Sequence, residues 1–210
     1  MKKILATVAA ALALAASTGV AQSLFDGVDL KGWIQKPGNS WTVKDASMAS
    51  LGTARGFIYT SNKYTFYRVF FTMRHVGGNH QACVLIFGRS PSLDALGGIQ
   101  FQVPNGGHWD YRPGVNNGGG SEFKSLPHPK FNPALWSRVE MLVNANTGTA
   151  RMAVAQPVGT KAVEVLDFSN KVAGVTGPLA WQIHNSGCLD EYKDVTITIN
   201  PKTPGLLSTQ

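Results

Sequence analysis

Tyr67-Arg-Val-Phe-Phe-Thr-Met-Arg-His75 sets Tyr67, Val69, Phe71 and Met73 against Arg68, Thr72 and Arg74, with only Phe70 out of step. An extended chain sends successive side chains to opposite faces, so this is the rhythm of a strand with one face on a core and one toward solvent. The same reading extends outward. Val139, Met141 and Val143 share one side of Arg138–Val143, Val163 and Val165 alternate with Glu164 within Lys161–Phe168, and Val195-Thr-Ile-Thr-Ile199 alternates strictly. Shorter segments of the same kind lie at Trp41–Lys44, Gly56–Thr60, Ala150–Val154 and Leu179–His184. Past residue 21 no long window carries an apolar stripe of helical period. Roughly ten or more short strands, separated by Gly, Pro, Asn and Asp turns, predict an all-β chain folded as a single-domain jelly-roll β-sandwich.

The amino terminus bears on the compartment. Lys2 and Lys3 precede an apolar run, Ile4–Ala16, broken only by Thr7, and Gly19-Val20-Ala21 offers the small side chains a signal peptidase requires. The expectation is a signal peptide over 1–21, one domain over 22–210, and a periplasmic or secreted protein with no membrane attachment after cleavage. The alternative, an uncleaved anchor, wants about 20 strongly apolar residues, and this run is shorter and rich in alanine. The formal charge of +7 includes Lys2 and Lys3, and the remaining basic residues are scattered singly. Nucleic-acid binding draws on clustered charge, so no nucleic-acid partner is expected. Cys83 and Cys188 permit one intrachain bridge in an oxidising compartment. The sequence leaves bridge and free thiols open, because the Cα separation that decides it is not written there.

Between Pro104 and Phe131 the strand rhythm stops. Gly and Pro dominate, yet His108-Trp109-Asp110-Tyr111-Arg112 is too aromatic for a disordered linker, and the segment reads as an ordered loop over a sheet face.

Three motifs in order bracket most of the chain: Ser23-Leu-Phe-Asp-Gly-Val-Asp-Leu-Lys-Gly-Trp33, Gly77-Gly-Asn-His-Gln-Ala-Cys-Val-Leu-Ile-Phe-Gly-Arg89, and Gly177-Pro-Leu-Ala-Trp-Gln-Ile-His184 continuing to Val195. Together they resemble the 3-keto-disaccharide hydrolase family. The resemblance implies a concanavalin-like or laminin-G-like jelly roll acting on a small sugar or glycoside whose ring carries a ketone at C3. Two positions depart from the family pattern. Asn79-His80-Gln81 stands where many members have Asn-Ser-Gly, and Gln100 stands where many have a Glu, so no proton transfer is available at that position.

Alternation sorts the candidate side chains. Gln100 and Gln102 lie opposite Ile99, Phe101 and Val103, and Gln182 and His184 lie opposite Trp181 and Ile183. Amides both donate and accept, as sugar hydroxyls do. A merely solvated sheet face is the competing reading, and it would more often carry Lys and Glu. Trp109 or Tyr111 could stack on a pyranose, or could pin the loop to the core while Asp110 pairs with Arg112. Arg89 ends a strand apolar on both faces, and either a site or a solvent-capped strand end suits it. Asp190-Glu-Tyr-Lys193 reads as a charged turn before the last strand. On the resemblance, His184 is the base at C2–H, His108 or Asp110 protonates the leaving oxygen, and Arg89, Gln100 and Tyr111 donate to the enolate. Gln102, Trp109, Gln182 and His80 complete the substrate contacts. No cofactor motif is present; a divalent metal held by converging His80, His108 and His184 is left open. A two-carboxylate glycosidase is disfavoured by sparse acids placed in turns. A non-catalytic carbohydrate-binding module, or an envelope scaffold, remains as an alternative.

Overall fold

The computed structural model describes residues 19–88, 97–112, 114–115, 120–127 and 129–210. Fourteen strands run through them: β1 (Ala21–Ser23), β2 (Trp33–Lys36), β3 (Trp41–Lys44), β4 (Ser47–Ser50), β5 (Gly56–Thr60), β6 (Phe66–Gly77), β7 (Ala82–Ile86), β8 (Ile99–Val103), β9 (His108–Asp110), β10 (Ser137–Asn144), β11 (Thr149–Ala155), β12 (Val163–Ser169), β13 (Ala180–Ile183) and β14 (Leu189–Ile199). An eight-stranded sheet has the order β12-β11-β10-β6-β14-β4-β3, with β1 also paired to β14. A six-stranded sheet has the order β2-β5-β13-β7-β8-β9. Strands distant in sequence are neighbours in both, as in a jelly roll, and the expected all-β sandwich is what the chain forms. Residues 1–18 of the expected leader lie outside the described residues. The boundary after Ala21 falls at the start of β1, where Ala21 pairs with Thr198.

The apolar face of β6 does what its alternation asks. Val69, Phe71 and Met73 are fully buried between the sheets, facing Val84, Phe101 and Trp181 of the smaller sheet within one core cluster. Trp181 is the centre of that core, stacked between Trp33 at 4.6 Å and Tyr192 at 4.4 Å, with Phe71 edge-on at 5.7 Å. Burying side chains of this size contributes about 1.5–3 kcal/mol each.

The opposite face of β6 departs from expectation. Arg68 and Thr72 do point away from the core, but both are buried. The C-terminal tail crosses this face: Arg68 pairs with Glu140 at 2.8 Å and donates to the carbonyls of Thr203 and Gly205, while Glu140 accepts from the backbone N–H groups of Leu207 and Ser208. Leu206 packs among Leu142, Ala153, Ala155 and Ala162. Two further expectations are corrected. A register shift between Met152 and Ala153 breaks the alternation of β12, leaving Val163 exposed and Val165 buried. The 190–193 run is not a turn but part of β14, with Asp190 and Tyr192 buried.

The Pro104–Phe131 segment is only partly a loop. His108–Asp110 forms the edge strand β9, and Phe123 makes a bridge to Phe168 of β12. Its described residues thus include an edge strand of one sheet and a bridge to an edge strand of the other. Cys83 and Cys188 are free, buried thiols.

Candidate functional site

The outward face of the six-stranded sheet is set by register. Ile34, Tyr59, Ala180, Leu85, Gln100 and Trp109 are aligned across β2, β5, β13, β7, β8 and β9. Lys36, Phe57, Gln182, Cys83 and Gln102 form the next row. Each alternates with a residue of the core, so the two rows share the side away from it. No Asp or Glu lies in either row among the described residues. The apolar members Phe57, Leu85 and Ala180 form a small cluster on which Tyr59 and Tyr111 pack.

Polar atoms are buried on this face without being satisfied. Gln182 is fully buried, and neither its Oε1 nor its Nε2 has a hydrogen-bond partner among the described residues; Gln100 Oε1 is in the same position. Native folds pair nearly all such atoms, and each one left unmatched costs about 1–3 kcal/mol. Gln102, less buried, turns its Nε2 toward His80 Nε2 at 3.4 Å. Gly107 makes room for it, since a Cβ there would lie 2.1 Å from Gln102 Oε1.

One step beyond Gln182, His184 stacks on His80 with ring centroids 3.4 Å apart and planes 2° from parallel. Asn185 Oδ1 lies 2.6 Å from His184 Nδ1, and Asn185 Nδ2 in turn donates to Asn79 Oδ1. An amide oxygen only accepts, so the proton of neutral His184 sits on Nδ1 and its lone pair on Nε2. His80 Nδ1 faces the Gln81 carbonyl at 2.9 Å by the same logic, which leaves His80 Nε2 to accept from Gln102. Burial pushes the His184 pKa below its ordinary value; the Asn185 hydrogen bond works against that, and the neighbouring His80 and Arg55 add to it. The thiols help to hold this corner: Cys83 Sγ donates to the Gln81 carbonyl at 3.3 Å and Cys188 Sγ to that of His80 at 3.6 Å. Nearby, His75 Nδ1 meets buried Asp190 Oδ1 at 2.6 Å, and this bond raises the His75 pKa.

The sequence-derived candidates divide into two groups. His184, His80, Gln182, Gln102, Gln100, Trp109 and Tyr111 are brought to one face. His108 and Asp110 are not. Because β9 pairs with β8, His108 lies across from core residue Phe101 and Asp110 across from Ile99, on the inner side. His108 stacks on Phe123 at 3.8 Å, and Asp110 is held by the Arg112 guanidinium. Alternation, applied to what was read as a loop, would have separated Trp109 from both. His108 thus stands apart from His80 and His184, and no group of three His, Cys, Asp or Glu side chains able to hold a metal occurs among the described residues. Arg89 lies outside the described residues. Trp109, 38% exposed, is tilted against Tyr111 at 6.0 Å and offers an indole surface to solvent.

Sequence reasoning missed Arg55, Phe57, Tyr59 and Asn185. Arg55 precedes β5, whose first residue Gly56 pairs with Ile183, so the register continued by one step sets it across from His184, whose pKa its charge lowers. Nothing in the sequence announces that β5 and β13 are neighbours. A separate groove of about 560 Å³, lined by Phe66, Asn144, Thr149, Arg151, Asp167 and Ser169 among others, opens on the larger sheet. Its charges are already engaged, Lys124 with Asp167 and Arg151 with Glu164, each at 2.6 Å.

A family model described as 3-keto-alpha-glucoside-1,2-lyase-like domain matches residues 20–198. No curated protein matches the chain. Among solved structures, a candidate glycosyl hydrolase from Parabacteroides distasonis is 16% identical, with TM-score 0.61 over 85% of this chain and 93% of that one. The carbohydrate-binding module CBM66 of Bacillus subtilis is 10% identical, with TM-score 0.61 over 83% and 99%. The exoplasmic/lumenal domain of VIP36, bound to Ca²⁺ and Man3GlcNAc, is 8% identical, with TM-score 0.62 over 88% and 90%. At these identities the likeness is one of fold.

Proposed function

Since the chain belongs to the 3-keto-alpha-glucoside-1,2-lyase-like domain family, we propose that it acts, after export, on glycosides or disaccharides oxidised to a ketone at C3, cleaving them by elimination and rehydration. The observation that carries the reading is His184: a neutral imidazole with its lone pair on Nε2, near buried amide atoms unpartnered among the described residues, on a face whose rows hold no carboxylate. Hydrolysis by paired carboxylates finds no machinery in those rows. A C3 ketone removes the need for it, because it acidifies the C2 proton enough for an imidazole base.

His184 Nε2 takes the C2 proton, and the C–H electron pair becomes the C2=C3 bond of an enolate. The enolate collapses to the ketone, forms C1=C2 and expels the aglycone oxygen from C1. Tyr111 protonates that oxygen; burial raises its pKa, so the phenol holds its proton at neutral pH. Water then adds at C1, the tyrosinate accepting its proton and imidazolium returning one to C2. Gln100, Gln102 and Gln182 hydrogen-bond the ring hydroxyls, and Trp109 covers a sugar face. Fold likeness to a carbohydrate-binding module favours one other reading, sugar binding without turnover.

The purified protein incubated with a 3-keto glucoside and with its unoxidised parent, with and without divalent metals, separates the two. Release of aglycone from the keto form alone is expected. Binding of sugar with no release from either would establish the binding module instead.

A further inference from the structure

We infer that Arg55 supplies the positive charge that stabilises the C3 enolate oxygen, an assignment that rests on the 3-keto reading above. The β5–β13 register carries the placement. Gly56 pairs with Ile183 and Phe57 with Gln182 at the end of the ladder, so the register carried one step further sets Arg55 across from His184 on the outward side, near enough for its charge to act on the imidazole. Base and cation therefore flank the same edge of the buried amide floor.

Among the described residues, the Arg112 guanidinium is committed to Asp110 and that of Arg74 to Glu191, the latter at 2.6 Å. Arg55 forms no ion pair among the described residues, and its side chain is exposed. Its field reaches both proposed proton-transfer groups, lowering the pKa of His184 and working against the burial that raises Tyr111. A cation in that position keeps the imidazole neutral before the reaction and makes the phenol a better acid as the aglycone leaves.

Chemistry explains why an amide floor alone is insufficient. When His184 removes the C2 proton, a full negative charge arrives on the C3 oxygen. Gln100 and Gln182 can offer neutral N–H donors, whereas a charge-assisted bond from a guanidinium is roughly twice as strong. The ground-state ketone carries only a partial charge, so the interaction grows as the enolate forms, which is the condition for raising turnover rather than affinity. Among the described residues, the two outward rows themselves contain a single Lys or Arg, Lys36, on the edge strand β2, which β5 separates from β13 and His184.

The test reads enolate formation directly. A methyl 3-keto glucoside is incubated in D2O with the wild-type protein, Arg55→Met, Arg55→Lys and His184→Ala, and loss of the C2 proton signal and release of methanol are followed by NMR. Arg55→Met should slow exchange and cleavage together by roughly 100- to 1000-fold, the effect of deleting one oxyanion donor. Arg55→Lys should lie between, and affinity for the unoxidised parent should stay within about twofold of wild type. Exchange by Arg55→Met within about threefold of wild type, or a raised KM with unchanged kcat, would overturn the assignment while leaving the 3-keto reading intact. A wild-type protein that neither exchanges nor cleaves would remove that reading, and Arg55's role with it.

Discussion

Replacing Gln182 with methionine exchanges a buried amide for a thioether of similar shape on the floor of the outward face. Gln182 is fully buried, with two polar atoms unpartnered among the described residues. Each unmatched group costs about 1–3 kcal/mol, and part of that sum returns as strain because methionine does not copy the amide's packing. A net gain of about 2 kcal/mol is expected, which for a domain of this size raises Tm by roughly 4–8 °C in calorimetry. The same change should cut kcat/KM on a 3-keto glucoside by about 100-fold or more, because a substrate hydroxyl brought to this floor would lose its partner. Stability and activity therefore move in opposite directions. A fall in Tm of a few degrees would refute the argument, since it would mean that the fold itself satisfies the amide.

Three further outcomes follow from the geometry. The rate on a 3-keto glucoside should rise with pH through an inflection below 6.5 and level off by about pH 7, because burial lowers the His184 pKa and the base must be neutral; an inflection above 6.5 in the pH–rate profile would contradict this. His75 has a raised folded pKa, so its bond to Asp190 adds stability that is fully present below the unfolded value of about 6.5 and lost as pH rises through the folded value. Asp190, raised by burial, acts in the same direction at lower pH, and urea unfolding from pH 5.5 to 8.5 should show His75→Gln flattening the slope. Glu140→Ala strands the buried Arg68 charge and two backbone donors of the tail, and should cost about 3–5 kcal/mol. The double replacement Arg68→Met with Glu140→Met should cost less in the same denaturation assay, and equal costs would show that the uncompensated charge is not the cause.

Much of this molecule was legible from local pattern. The face assignments of Gln100, Gln102, Gln182 and His184 needed only the two-residue period of a strand, and the core side of β6 needed no more. Where pattern failed, a non-local contact had intervened. Arg68 looks solvated until the C-terminal tail is laid across it. The single-residue shift in the β11–β12 pairing turned Val163 outward. His108 and Asp110 looked like neighbours of Trp109 in a loop, but pairing with β8 turned them to the other side of the sheet.

The division has a physical basis. Alternation is a property of one strand, so the sequence alone determined most of the strands, the sandwich class, the amide face and His184 as a face residue. Which strands become neighbours depends on the free energy of burying one shared core, and no segment encodes that separately. Only the tertiary structure decided that β13 lies between β5 and β7, that Arg55 stands beside His184, and that two imidazoles from distant turns stack at 3.4 Å.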